Sequence, residues 1–129
     1  MTRWALATAL VVAACSPGEA ACETIDPGGP IPFHLYVSNQ SFDVDPVDIA
    51  VSIDDVPVIC QDFEVEGQHN WVLFELGLDP GHHHITASGN HGATTFQEEF
   101  DHDGERWAVL DFWHDPDDGF EEFSFSIHD

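Results

Sequence analysis

Histidine is the residue type with the clearest potential for chemistry in this chain of 129 residues, which contains nine of them. His82 and His84 stand two positions apart, so in a β-strand both would lie on one face, about 7 Å apart. Imidazole nitrogens bind zinc and copper, and a third ligand would come from His69, His91 or a nearby carboxylate. The alternative is that they are ordinary surface residues of an acidic chain.

Acidic turns give a second metal hypothesis, because Ca²⁺ prefers oxygen ligands from closely spaced carboxylates. The segment DHDGE begins like a calcium loop, with Asp101, Asp103 and Gly104, and residues 115–122 are similarly acidic. Neither segment completes the EF-hand pattern, and Asp-Gly is also a common hairpin turn. We therefore expect no cofactor, and keep zinc, copper or calcium as the alternative.

Charge excludes several classes of function. The sequence has 25 Asp and Glu against two basic residues, Arg3 and Arg106, and its formal net charge is -23. The absence of lysine removes Schiff-base and P-loop chemistry, and such a charge repels the phosphate backbone of nucleic acid. Nucleophile elbows and zinc-protease helices are missing as well. We predict neither an enzyme nor a nucleic-acid-binding protein.

The N-terminal residues have the pattern of an export signal. Arg3 precedes an uncharged run from Trp4 to Ala14, which is too short to span a membrane. The run ends in Val12-Ala13-Ala14-Cys15, which resembles the bacterial lipobox, in which the cysteine is acylated and becomes the mature N-terminus.

This resemblance implies that residues 1–14 are a lipoprotein signal peptide and that the protein reaches the membrane through a lipid on Cys15. Ser16 follows, and by resemblance to enteric lipoprotein sorting it favours the outer membrane or the cell surface. The alternative is a secretory signal cut after Ala20, which would give a soluble product.

The other two cysteines, Cys22 and Cys60, make an even pair in an oxidising compartment, where a disulfide is the default expectation. It would close a loop of about 39 residues and staple the N-terminal segment to the core. Residues 15–30 are rich in Pro, Gly and small side chains, which predicts a tether between the lipid and the domain.

From residue 31 onward the chain shows the period-two alternation of β-strands. Phe33, Leu35 and Val37 begin the pattern, which recurs in short runs separated by turn residues such as Asp54-Asp55. No stretch of ten or more residues carries a convincing helical stripe. Residues 31–129 are therefore predicted to form one all-β domain, an antiparallel immunoglobulin-like β-sandwich of seven or eight strands.

One segment, LDPGHHHITA from Leu78 to Ala87, resembles the L-x-P-G-x-H-x-I-x-A hairpin of immunoglobulin-like and transthyretin-like surface modules. The resemblance implies that a strand ends at Leu78, that Pro80 and Gly81 turn the chain, and that His83 is structural. It covers about ten residues and implies a β-sandwich without a particular function.

The phase of each strand predicts which side chains face inward. These positions are Phe33, Leu35, Val37, Ile49, Val51, Ile53, Val72, Phe74, Leu76, Leu78, Ile85, Ala87, Phe96, Phe100, Val109, Phe123, Phe125 and Ile127. Two runs, WVLFEL and RWAVLDFW, are apolar on both phases, which predicts either partly covered outer faces or an exposed aromatic patch. The residues of that patch would be Trp71, Trp107 and Trp113.

The sequence as a whole predicts a lipid-anchored protein of the cell envelope with a non-catalytic binding or structural β-sandwich. Its partner is an unidentified protein or envelope component, met through the aromatic patch. The alternative is a periplasmic or surface metal-binding protein that uses His82 and His84 or the acidic turns.

Overall fold

A computed structural model describes residues 22–68 and 70–129 as two β-sheets. The strands are β1 (Ile31–Asn39), β2 (Val47–Ile53), β3 (Val56–Phe63), β4 (Val72–Leu78), β5 (Gly81–Gly89), β6 (Thr94–His102), β7 (Arg106–Asp115) and β8 (Phe120–His128). A short 3₁₀ segment, Glu66–Gln68, follows β3. The predicted all-β sandwich is confirmed. The predicted signal peptide, residues 1–14, and the predicted lipid site, Cys15, lie outside the described residues.

Each sheet has four strands, in the orders β4-β1-β7-β8 and β3-β2-β5-β6. We call them the first and the second sheet. Neighbouring strands pair antiparallel, except that β1 and β7 run parallel at the centre of the first sheet. In an immunoglobulin constant domain the second and third strands lie in different sheets, whereas here β2 and β3 pair in one sheet. The architecture is a β-sandwich whose strand order differs from that of the immunoglobulin constant domain.

Tight turns connect the hairpins where the sequence offers residues that accept a left-handed backbone. Asp54 and Asp55 join β2 to β3 with φ of 52° and 67°, which suits the twist of a two-residue hairpin turn. The Asp54 carboxylate also accepts a hydrogen bond from the backbone N–H of His84 at 2.9 Å. This bond ties the turn to β5.

The core lies between the sheets and consists mostly of the predicted alternating positions. Its buried hydrophobic residues are Phe33, Leu35, Val37, Val47, Ile49, Val51, Ile53, Val58, Ile59, Phe63, Leu78, Ile85, Ala87, Phe100, Ala108, Leu110, Phe112 and Phe123. The predicted residues Phe74, Leu76, Phe96, Phe125 and Ile127 are partly buried and pack against it. One predicted phase was wrong, because Val109 belongs to the outward phase of β7. Val72 lies opposite the buried Val37, as predicted, but at the start of an edge strand it is 43% exposed.

The phase of β7 is decided by its neighbour, because the strand is apolar on both sides. In the parallel register Leu35 lies opposite Ala108 and Val37 lies opposite Leu110. Directly opposite residues share a face of the sheet, so Ala108 and Leu110 turn inward and Val109 turns outward.

Residues 22–30 run without regular structure against the edge strands of the sandwich. Cys22 and Cys60 of β3 form the predicted disulfide. Further along, the backbone N–H of Gly29 donates to the carbonyl of Gly77 in β4 at 2.9 Å. This part of the predicted tether is fastened to the domain at both edges.

Candidate functional site

The outer face of the first sheet presents three rows of side chains that run across its strands. The rows follow from the strand register, because the alternate residues Phe33, Leu35 and Val37 are buried. Row one is Glu75, His34, Trp107 and His128; row two is Leu73, Tyr36, Val109 and Ser126; row three is Ser38, Asp111 and Ser124, joined by Trp71 just before β4. We call these three rows the aromatic face.

In row one, a histidine holds Trp107 in place. The His34 ring stacks on the indole with the ring centroids 5.1 Å apart and 15° between the planes. Nε2 of His34 lies 2.6 Å from Oε2 of Glu105, and Nδ1 lies 3.6 Å from Oε2 of Glu75. Trp107 is still 36% exposed, so part of its indole meets solvent beside two carboxylates.

In row three, a carboxylate holds Trp71. The indole Nε1 donates to Oδ1 of Asp111 at 2.9 Å, and the hydroxyl of Ser38 donates to the same oxygen at 2.6 Å. Trp71 is 43% exposed. Because its N–H is already bonded, the ring is fixed in orientation while its surface stays open, and a fixed side chain loses little entropy when a partner binds.

Row two is apolar at its centre. Tyr36 of β1 lies between Leu73 of β4 and Val109 of β7. Leu73 is 40% exposed, and the other two are partly exposed. This apolar band has an indole on each side, and contiguous exposed apolar patches mark sites of interaction.

Trp113 shares the outward phase of β7 with Trp107, beyond row three. Its Nε1 donates to the hydroxyl of Ser124 at 2.9 Å. The tryptophans singled out from the sequence, Trp71, Trp107 and Trp113, are therefore carried by β7 and the residue before β4, two parts of one sheet. Sequence reasoning missed Tyr36 and His34, which alternate with core residues of β1 but gain their neighbours only through the sheet order.

The predicted metal ligands His82 and His84 both lie on the outer face of the second sheet, as alternation predicts. The His82 ring sits between two carboxylates, with Nδ1 2.9 Å from Asp101 and Nε2 2.7 Å from Glu99. These hydrogen bonds, the one with Asp101 first, raise the pKa of His82. Nε2 of His84 turns instead to the side chain of Gln97 at 3.1 Å.

The other predicted ligands do not complete a site. His91 lies in the loop after β5, with Nδ1 3.7 Å from Asp48, and Asp103 is exposed in the turn after β6. His69 lies outside the described residues. Within residues 22–68 and 70–129, no group of three His, Cys, Asp or Glu side chains is placed to hold a metal ion.

His83 and His102 are buried under the end of the sandwich, with their ring centroids 6.3 Å apart. Burial lowers the pKa of His102, and its hydrogen bond to the carbonyl of Ile31 does not offset this. Burial acts on His83 too, but bonds to the Asp54 carboxylate and the Asp79 carbonyl outweigh it and raise the pKa of His83. These histidines hold the fold together and face away from solvent.

No family model, curated protein or solved structure matches the chain. Among the residues that the structure describes, no helix is long and apolar enough to cross a membrane. A function for this chain therefore has to be inferred from its own residues. The aromatic face is the surface that carries its exposed tryptophans.

Proposed function

We propose that this protein is a lipid-anchored protein of the cell envelope whose β-sandwich is a non-catalytic binding module, and that its partner docks on the aromatic face. The observation that carries the proposal is the arrangement of Trp71 and Trp107 on either side of an apolar band, each indole held by a polar neighbour and still well exposed. Tryptophan and tyrosine are enriched among the few side chains that contribute most of the binding energy at protein interfaces.

The outer face of the second sheet offers a contrast that favours this choice. Its exposed positions are polar, such as His82, Thr95, Gln97 and Glu99. The aromatic face, by contrast, carries three of the seven large hydrophobic side chains that are exposed among the described residues, Trp71, Leu73 and Trp107. The net charge of -23 continues to disfavour nucleic acid as that partner.

Anchoring is supported by the lipobox resemblance that ends at Cys15, and the intact mass of the protein purified from envelopes tests it. We expect cleavage before Cys15 and the added mass of the acyl chains. An unmodified chain, or one cut after Ala20, would refute the lipid anchor while leaving the binding face to be judged separately.

The docking surface is tested by photo-crosslinking in intact cells. A photoreactive amino acid replaces Leu73 on the aromatic face or, as the control, Thr95, which is exposed on the opposite side of the sandwich. We expect a discrete crosslinked product from position 73 and none from position 95. Equal products from both positions, or none from either, would refute the proposal.

A further inference from the structure

We infer that the segment which docks on the aromatic face carries two arginines about 13 Å apart with an apolar side chain between them. This inference rests on the proposed function and names the chemistry of its partner. It follows from the content of the three rows, since rows one and three each combine an exposed indole with a carboxylate and row two is apolar.

Row one provides a binding site for the first guanidinium. Part of the Trp107 indole is exposed, and Glu75 and Glu105 both reach the His34 ring that stacks on it. Glu75 is 68% exposed and Glu105 is 48% exposed. A guanidinium stacks on an indole and donates to carboxylates at the same time, which an ammonium group does less well.

Row three provides a second binding site for a guanidinium, again formed by an exposed indole and a carboxylate. Trp71 and Ser38 both donate to Oδ1 of Asp111. A guanidinium that stacks on Trp71 would lie beside the Asp111 carboxylate, the acceptor that the indole itself uses. A carboxylate that accepts hydrogen bonds from an indole and a hydroxyl is also an acceptor for a guanidinium, so one group both positions the ring and attracts the cation.

The separation of rows one and three along β1 sets the spacing expected of the arginines. His34 and Ser38, which mark rows one and three on β1, are four residues apart, or about 13 Å in a strand. Two arginines four residues apart in an extended segment have the same separation. The residue midway between them then faces row two, where Leu73 and Tyr36 give an apolar contact.

Charge complementarity selects a cationic partner over a second copy of this chain. The net charge of -23 opposes self-association. Among the described residues Arg106 is the only lysine or arginine, and its Nε is paired with Asp129 at 2.8 Å. No segment of this sequence holds two arginines four positions apart, so a segment with that pattern belongs to another molecule.

Fluorescence anisotropy of a labelled heptapeptide, GRSLSRG, with the full-length purified protein tests the inference. Its arginines have the predicted spacing around a central leucine. Three control peptides are GRRLSSG, with the same composition and adjacent arginines, GKSLSKG, and the citrulline version of the first. We expect GRSLSRG to bind roughly fivefold or more tightly than GRRLSSG and GKSLSKG, and the citrulline peptide not to bind.

Matched variants separate this recognition from general attraction to an acidic protein. Glu75→Gln on the aromatic face and Glu99→Gln on the opposite face each remove one charge from a side chain about two-thirds exposed beside a histidine. We expect Glu75→Gln to weaken binding of GRSLSRG roughly two- to fivefold and Glu99→Gln to leave it nearly unchanged. Trp107→Leu should weaken it by a similar factor.

Equal affinity for all dicationic peptides, or equal effects of Glu75→Gln and Glu99→Gln, would overturn the inference. Binding of a neutral oligosaccharide such as cellohexaose to this face, without a preference for GRSLSRG, would overturn it in favour of a carbohydrate partner. In either case crosslinking from position 73 but not from position 95 would leave the proposed function standing, so the two failures are distinguishable.

Discussion

Nδ1 of His83 lies 2.5 Å from Oδ2 of Asp54, so a buried histidine of β5 is tied to the turn between β2 and β3. The other ring nitrogen, Nε2, lies 2.7 Å from the carbonyl oxygen of Asp79. A carboxylate and a carbonyl only accept hydrogen bonds, so the ring that satisfies both donates from both nitrogens and carries a positive charge. The turn at Asp54 and the turn that begins at Asp79 therefore both bond to the ring of His83.

We expect His83→Gln to cost most stability at mildly acidic pH. Because the folded-state pKa of His83 is raised, its stabilising effect is complete below the unfolded value of about 6.5 and is lost as the pH rises through the folded-state pKa. Urea denaturation of wild type and variant from about pH 5 to about pH 9 measures this. The difference in free energy of unfolding should shrink toward alkaline pH.

His102 provides a control, because its effect on stability should change with pH in the opposite direction. Its pKa is lowered by burial, so the unfolded chain takes up a proton first and the contribution of His102 to stability becomes less favourable as the pH falls below about 6.5. His102→Leu should remove that effect. A difference for His83→Gln that stays constant or grows with pH would contradict the charged state assigned to its ring.

The phase of β7 predicts a sharp contrast between two neighbouring residues. Leu110 is buried and Val109 faces outward, so Leu110→Ala should lower the free energy of unfolding by about 2–5 kcal/mol through the cavity it leaves. Val109→Ala should cost no more than about 1 kcal/mol. Urea denaturation of both variants checks this, and the reverse order would mean that the other face of the strand is buried.

The close approach of Gly29 to Gly77 predicts that neither tolerates a side chain. A Cβ added at Gly77 would lie 2.1 Å from the carbonyl oxygen of Gly29, whereas one added at Gly104 would meet nothing within 4 Å. We expect Gly77→Ala to cost about 1–3 kcal/mol and to expose residues 22–30 to limited proteolysis. Gly104→Ala is the matched control, and an equal effect of the two substitutions would argue against the contact.

The arrangement around His82 predicts a weak response to metal ions. Its two nitrogens face different carboxylates, Asp101 and Glu99, while the ring of His84 bonds to Gln97. We expect zinc, copper and calcium at millimolar concentration to leave the melting temperature of the full-length protein within error, and calorimetry to show no saturable heat. Saturable binding that His82→Ala abolishes would revive the metal-binding hypothesis.

The alternation of the sequence predicted the sandwich, most of its core and the shared face of His82 and His84, because side chains alternate in every strand whatever its neighbours are. It failed at Val109, where both phases are apolar and only the packing against β1 decides. The disulfide between Cys22 and Cys60 was predicted from an even count of cysteines in a chain expected to be exported, and the structure contains it.

The aromatic face could be anticipated only in part. Trp71 and Trp107 were evident as exposed aromatic residues, but the sequence places them 36 positions apart and gives no sign that β1 lies between their strands. Asp111 is one of 25 acidic residues, and nothing in the sequence distinguishes it from the others. Its role depends on the indole of Trp71 and the hydroxyl of Ser38, which reach it across strand pairs.

By itself, then, the sequence determined the class of fold, the turns and the overall negative charge, since these depend on local periodicity and on composition. Tertiary structure decided which strands are neighbours, the parallel pairing of β1 with β7 and the three rows that follow from it. The physical reason is that pairing between distant strands is set by packing over the whole sandwich, and alternation is the same in parallel and antiparallel sheets.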